Sequence, residues 1–144
     1  MAAFYTLFYI APPEAAEAIA FDEEAIDRWP SIWLRHVGDL ELVALWNVID
    51  EKAQESEVTL MADLIFQGSD EGPFVMRVPQ QFIAAVASIP DDERRDVVAK
   101  WTHDAELPDW RWRQEEVTKL LQELRTFAQQ AVASGQPVLQ VARI

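Results

Sequence analysis

Two histidines, His36 and His103, are the side chains best suited to proton transfer near neutral pH, and one of them has acidic neighbours. His103 precedes Asp104, Glu106 and Asp109. An imidazole with carboxylates could hold a divalent metal or activate water. The spacing matches no metal-binding motif, and a helix C-terminus also favours His103 while Asp109 suits a helix N-cap. A small hydrolase using His103 with nearby carboxylates is therefore the alternative hypothesis, and we predict no metal site and no cofactor.

The composition leaves little room for other catalytic chemistry. The chain has no cysteine, which excludes disulfides, thiolate zinc sites and cysteine nucleophiles. No serine lies in a nucleophile-elbow context, and four glycines do not form a phosphate-binding loop. Adjacent carboxylates are abundant, and several fall in the first turns of predicted helices, where acids are favoured for structural reasons. We predict no catalytic residues.

Acidic residues are concentrated in the first part of the chain. The net charge is −13, and residues 1–57 hold 12 acids against 3 bases. Such a field repels nucleic acid and anionic membranes and attracts basic proteins, although it also serves solubility. The sequence predicts a basic protein partner, no nucleic acid and no membrane. The acids expected to steer that partner are Asp22, Glu23, Glu24, Asp27, Asp50 and Glu51.

Trp112 is the tryptophan that fits no predicted core position. Trp46 and Trp101 lie on apolar helix stripes, which indicates core positions. Trp112 points more than about 90° away from the stripe of the helix that follows it. Because Arg111 and Arg113 flank it, it resembles an interface anchor. The alternative is that Trp112 packs under a neighbouring loop.

The longest predicted element is a helix over residues 114–134, and the rest of the chain is expected to pack on it. Its apolar residues recur at helical spacing, and Gly135 and Pro137 end it. The stripe consists of Val117, Leu120, Leu121, Leu124, Phe127, Ala128, Ala131 and Val132.

The remaining pattern predicts one α+β domain over residues 1–144. Residues 58–67 and 73–78 form a hairpin, and 4–10 and 138–144 are terminal strands that could be neighbours. These give about four strands in a small, mostly antiparallel sheet with several helices on one face. Further helices are expected after Asp39, Pro79 and Pro90, and Asp22 and Ser31 are expected to cap short helical turns. No run of 18 apolar residues occurs, and the first basic residue is Arg28, so neither a membrane span nor a signal peptide is predicted.

In size, acidity and tryptophan content the chain resembles small acidic bacterial immunity-type proteins. The segment GPFVMRVPQQFIAAVASIP, with the later AKWTHDAEL, also resembles uncharacterised small bacterial proteins. The resemblance implies a cytoplasmic, non-catalytic binding protein, such as an immunity protein that neutralises a basic toxin, for example a nuclease. A homodimer or structural subunit is a third hypothesis, besides the hydrolase.

Overall fold

A computed structural model describes residues 5–22, 24–35, 37–50, 63–104 and 114–142. Five strands are present: β1 (Tyr5–Ile10), β2 (Ser31–Arg35), β3 (Leu64–Gln67), β4 (Phe74–Arg77) and β5 (Val138–Ala142). The α-helices of these ranges are α1 (Ala16–Phe21), α2 (Ala25–Arg28), α3 (Asp39–Ile49), α4 (Gln80–Ala87), α5 (Arg94–Asp104) and α6 (Gln114–Ser134). Short 3₁₀ turns precede α1 and α5, at Pro13–Ala15 and Asp91–Glu93.

The five strands form one antiparallel sheet in the order β2-β1-β5-β4-β3. The first and last strands lie side by side at its centre, where Leu7 is opposite Val141. The chain therefore has the predicted α+β fold, with one strand more than expected.

The extra strand is β2, which the sequence analysis took for a helical turn capped by Ser31. Residues 31–35 instead pair with β1 along their whole length, with Leu34 opposite Thr6. Leu34 is fully buried while Trp33 and Arg35 are exposed, so the segment alternates as a strand at a sheet edge does. Long-range pairing outweighs the helical preference of so short a segment.

The larger core lies between one face of the sheet and α3, α4, α5 and α6. Phe8 and Ile10 of β1 point into it, as does Leu34 of β2. Trp101 is fully buried, and its Nε1–H donates to the Glu41 carbonyl at 2.7 Å. The Trp46 ring packs 5.6 Å from that of Phe82, so both tryptophans assigned to the core are confirmed there.

The long helix α6 spans the residues predicted for it, and most of its stripe is buried. Val117, Leu121 and Leu124 are fully buried against the sheet layer and neighbouring helices. Val132, predicted as part of the stripe, is 56% exposed. Ala131 of the last turn is still buried, so the exposure begins at Val132, which lines a cleft beside the start of α4.

The sheet is covered on both faces, whereas helices were expected on one. Tyr9, Val75 and Leu139 face away from the larger core and pack against the segment from Pro13 to Ala25. Small residues let this segment lie close to the strands, and those that are buried are Ala15, Ala16, Ile19, Ala20 and Ala25. We call the segment 13–28 the acidic layer, for reasons given below.

Two buried polar side chains fix the start of α3. Asp39 was expected to be the N-cap, but Gly38 occupies that position and Asp39 is the first helical residue. Its carboxylate accepts a hydrogen bond from Gln140 Nε2 at 2.9 Å, which ties α3 to the central strand β5. Thr6 Oγ1 donates to the Val37 carbonyl at 2.6 Å one residue before this cap.

The β3–β4 hairpin turns through residues 68–73, as predicted. Gly72 has φ of 101°, a backbone conformation that only glycine adopts readily, and Ser69 Oγ donates to the Gly72 carbonyl. The first half of the strand predicted over 58–67 lies outside the described residues. In the described part of the chain, no helix is long and apolar enough to cross a membrane.

Candidate interaction surface

The acidic layer holds six acids within sixteen residues, and of the five that the structure describes four are exposed and Asp22 is half-buried. Its alanines and Ile19 take the positions that face the sheet, so the charged residues between them point outward. The single base in this segment is Arg28. The five described carboxylates belong to Glu14, Glu17, Asp22, Glu24 and Asp27.

Asp22 fixes the turn between α1 and α2. Its Oδ1 accepts a hydrogen bond from the backbone N–H of Glu24 at 2.8 Å, and its Oδ2 accepts one from Arg28 Nη1 at 2.9 Å. The Glu24 N–H and then the Arg28 guanidinium stabilise the carboxylate and lower the pKa of Asp22. Asp22 was predicted to be the N-cap of α2, but Glu24 occupies that position and Asp22 is the C-cap of α1. Its carboxylate instead stabilises the turn between the two helices and forms an ion pair with Arg28.

Glu17, Glu24 and Asp27 are the exposed acids that the structure describes in α1, α2 and their junction. None of the three forms an ion pair with another residue that the structure describes. The only base nearby in the sequence is Arg28, which pairs with Asp22 and stacks 5.3 Å from the centre of the Trp29 ring. Among the described residues, these three carboxylates therefore carry negative charge that no ion pair offsets, and we call them the uncompensated carboxylates.

Two large apolar side chains are exposed in the same layer. Phe21 at the end of α1 is 59% exposed, and Ile26 in α2 is 54% exposed. The Phe21 ring meets Phe66 of β3 edge to face, with 5.8 Å between centroids, so one side of the ring is anchored. Exposed apolar groups beside charges are common at protein interfaces. The sequence analysis missed both residues. Phe21 could have been found, because it directly follows the alanine-rich run 15–20 and is the large apolar side chain at its end.

The structure separates the residues that the sequence assigned to one steering surface. Asp22, Glu24 and Asp27 lie in the acidic layer, whereas Asp50 follows α3 on the opposite face of the sheet and accepts a hydrogen bond from Trp46 Nε1 at 3.3 Å. The other three predicted partner-binding residues, Glu23, Glu51 and Trp112, lie outside the described residues.

His103, the centre of the hydrolase hypothesis, is exposed in the last turn of α5. Glu106 and Asp109, two of its expected partners, lie outside the described residues. Within the ranges that the structure covers, no three His, Asp or Glu side chains come together in a way that could hold a metal ion.

A shallow groove of about 580 Å³ separates the edge strand β2 from α6. Ile32 and Phe127 give it apolar surface, and Lys119 and Glu123 give it charges of both signs. Its charge pattern therefore favours no particular class of ligand. Trp33, which is exposed on the other side of β2, stacks under Arg35 with 4.7 Å from the guanidinium to the ring centre.

Comparison of the chain with protein-family models gives no match, and comparisons with curated proteins and with solved structures give none either.

Proposed function

We propose that the protein is a non-catalytic binding protein whose acidic layer receives a basic protein partner. The observation that carries the proposal is the group of uncompensated carboxylates, Glu17, Glu24 and Asp27, beside exposed Phe21 and Ile26. Charge at the rim of an interface steers encounter, and exposed apolar side chains supply surface that is buried on contact. A cytoplasmic immunity protein that neutralises a basic toxin, such as a nuclease, would need this combination.

The positions of the carboxylates in the acidic layer support a basic partner better than the net charge of the chain does. A uniformly acidic surface serves solubility and attracts basic molecules everywhere. In the acidic layer the carboxylates are carried on short helices that are held against the sheet by buried alanines, so their positions are fixed. Fixed charges lose little conformational entropy when a partner binds.

The proposal is tested by the kinetics of a complex with a basic protein that co-purifies from the native host. The test variant carries Glu17→Lys, Glu24→Lys and Asp27→Lys. Asp22 is left unchanged because its carboxylate holds the turn. The control variant carries Asp92→Lys, Glu93→Lys and Asp96→Lys, which are exposed acids on the other side of the sheet. Both variants change the net charge by the same amount.

We expect the test variant to lower the association rate by at least about tenfold at low salt, because steering rates fall steeply when the local field reverses. The control should lower it much less. Equal effects of the two variants would assign the attraction to net charge alone, and no effect of either would contradict the proposal. A Phe21→Ala variant should instead raise the dissociation rate, as truncation of a buried contact does.

A further inference from the structure

A second cleft, of about 370 Å³, opens where α4 begins, α6 ends and the chain enters β5. Its walls are mostly apolar. Ile83 of α4, Val132 of α6 and Val78 after β4 contribute aliphatic surface, and Pro13 and Pro137 close the end nearest the acidic layer. Its volume is within the usual range for small-molecule sites, about 300–1,000 Å³.

The lining of this cleft carries a positive charge, whereas the net charge of the whole chain is negative. The lining residues include one ionisable side chain, that of Arg77, and no carboxylate. Arg77 is exposed at the end of β4, and among the described residues it forms no ion pair. In a chain of net charge −13, the cleft therefore places a guanidinium without an ion pair to a described residue beside an apolar surface.

Val132 is an exposed apolar residue in the same region. It continues the apolar stripe of α6, yet it is 56% exposed because the cleft lies where the stripe would meet a neighbour. A ligand with an apolar body would cover Val132 and Ile83.

We infer that this cleft binds a small amphipathic carboxylate, with its apolar body against Ile83 and Val132 and its carboxylate on Arg77. The planar guanidinium can donate two parallel hydrogen bonds to one carboxylate. A cationic ligand would meet Arg77 with repulsion, and a neutral one would leave it unpaired. The cleft shares Pro13 with the acidic layer, but none of the residues proposed to contact the protein partner line it.

The experiment is a titration of the isotopically labelled protein with octanoate, followed by the backbone amide signals in NMR spectra. Octanol and octyltrimethylammonium serve as probes of equal chain length with neutral and positive head groups. We expect saturable shifts at residues 77–84 and 131–138 with octanoate, and binding at least about tenfold weaker for the two other probes, since a charge-assisted pair contributes that much discrimination.

Arg77→Gln should weaken octanoate binding by about tenfold and leave octanol binding unchanged, while Arg35→Gln on β2 is the matched control and should change neither. Val132→Asp should weaken both probes, because it places a carboxylate on the apolar wall. Thermal denaturation shows whether each variant is folded. The inference is overturned if octanoate gives no saturable shifts at the cleft, if octyltrimethylammonium binds equally well, or if Arg77→Gln behaves as Arg35→Gln does.

Discussion

At the scale of single residues, four acids of the acidic layer differ in what their carboxylates contact within the described part of the chain. Asp22 is committed to Glu24 and Arg28 through two hydrogen bonds. Glu17, Glu24 and Asp27 make no ion pair among the described residues. Sequence alone could not separate them, because all four occur in acidic stretches and only the turn geometry shows which carboxylate is occupied.

The role of Asp22 predicts a specific pH dependence of stability. Its pKa is lower in the folded chain than in the unfolded one, so its ionised form stabilises the fold above the unfolded value of about 3.9. That contribution is lost as the pH falls through the folded value. We expect Asp22→Ala to lower the melting temperature clearly at pH 7 and by progressively less below about pH 4.

Asp27→Ala is the control for this experiment, because Asp27 lies in the same layer without an ion pair to a described residue. Thermal denaturation followed by circular dichroism at several pH values measures both differences. A destabilisation by Asp22→Ala that is the same at pH 7 and pH 3 would show that the charge of Asp22 does not matter to the fold.

At the scale of elements, α6 could be predicted from the sequence. The helical spacing of its apolar residues and the glycine and proline that follow it indicate the same helix over residues 114–134. Gly135 has φ of 71°, and its N–H bonds to the Ala131 and Val132 carbonyls, which ends the helix where the sequence predicted. β2 was not readable, since five residues after a proline carry too little periodicity to distinguish a turn of helix from an edge strand. Its identity as a strand depends on pairing with β1, which residues 11–30 separate from it in the chain. The local signal for a strand is the alternation of buried Leu34 with exposed Trp33.

The acidic layer shows a further limit of sequence reasoning. Its charge was evident from composition, but composition did not show that Asp22 and Asp50 lie on opposite sides of the sheet. A charge count along the chain contains no information on which face of a sheet each segment covers. The cleft at Arg77 was likewise not predictable from the sequence, since its lining comes from three separate parts of the chain.

The stripe of α6 yields a paired prediction for stability. Leu124 is fully buried, so Leu124→Ala should lower the free energy of unfolding by about 2–5 kcal/mol. Val132→Ala, on the same helix, should change it by less than about 0.5 kcal/mol because Val132 is exposed. Urea denaturation measures both. Similar costs for the two substitutions would contradict the burial described for this helix.

At the scale of the whole molecule, a net charge of −13 repels itself within the compact state. Screening relieves this repulsion, because the Debye length falls from about 30 Å at 0.01 M salt to about 8 Å at 0.15 M. We expect the melting temperature to rise over this range of sodium chloride. A variant with Glu17→Gln, Glu24→Gln and Asp27→Asn should show a smaller rise, and a melting temperature that falls with salt would mean that attractive pairs outweigh the repulsion.

The position of β5 in the sheet has a consequence for the order of events during synthesis. Leu7 of β1 meets Val141 of β5, so two strands that pair at the centre of the sheet are separated by nearly the whole chain. Before β5 emerges from the ribosome, the β1–β2 pair and the β3–β4 hairpin have no strand between them, and each has an unpaired inner edge. Such long-range pairing slows folding, and open strand edges promote aggregation. A nascent chain stalled after α6 should therefore be a good substrate for chaperones, and the addition of β5 should end that dependence in a single step.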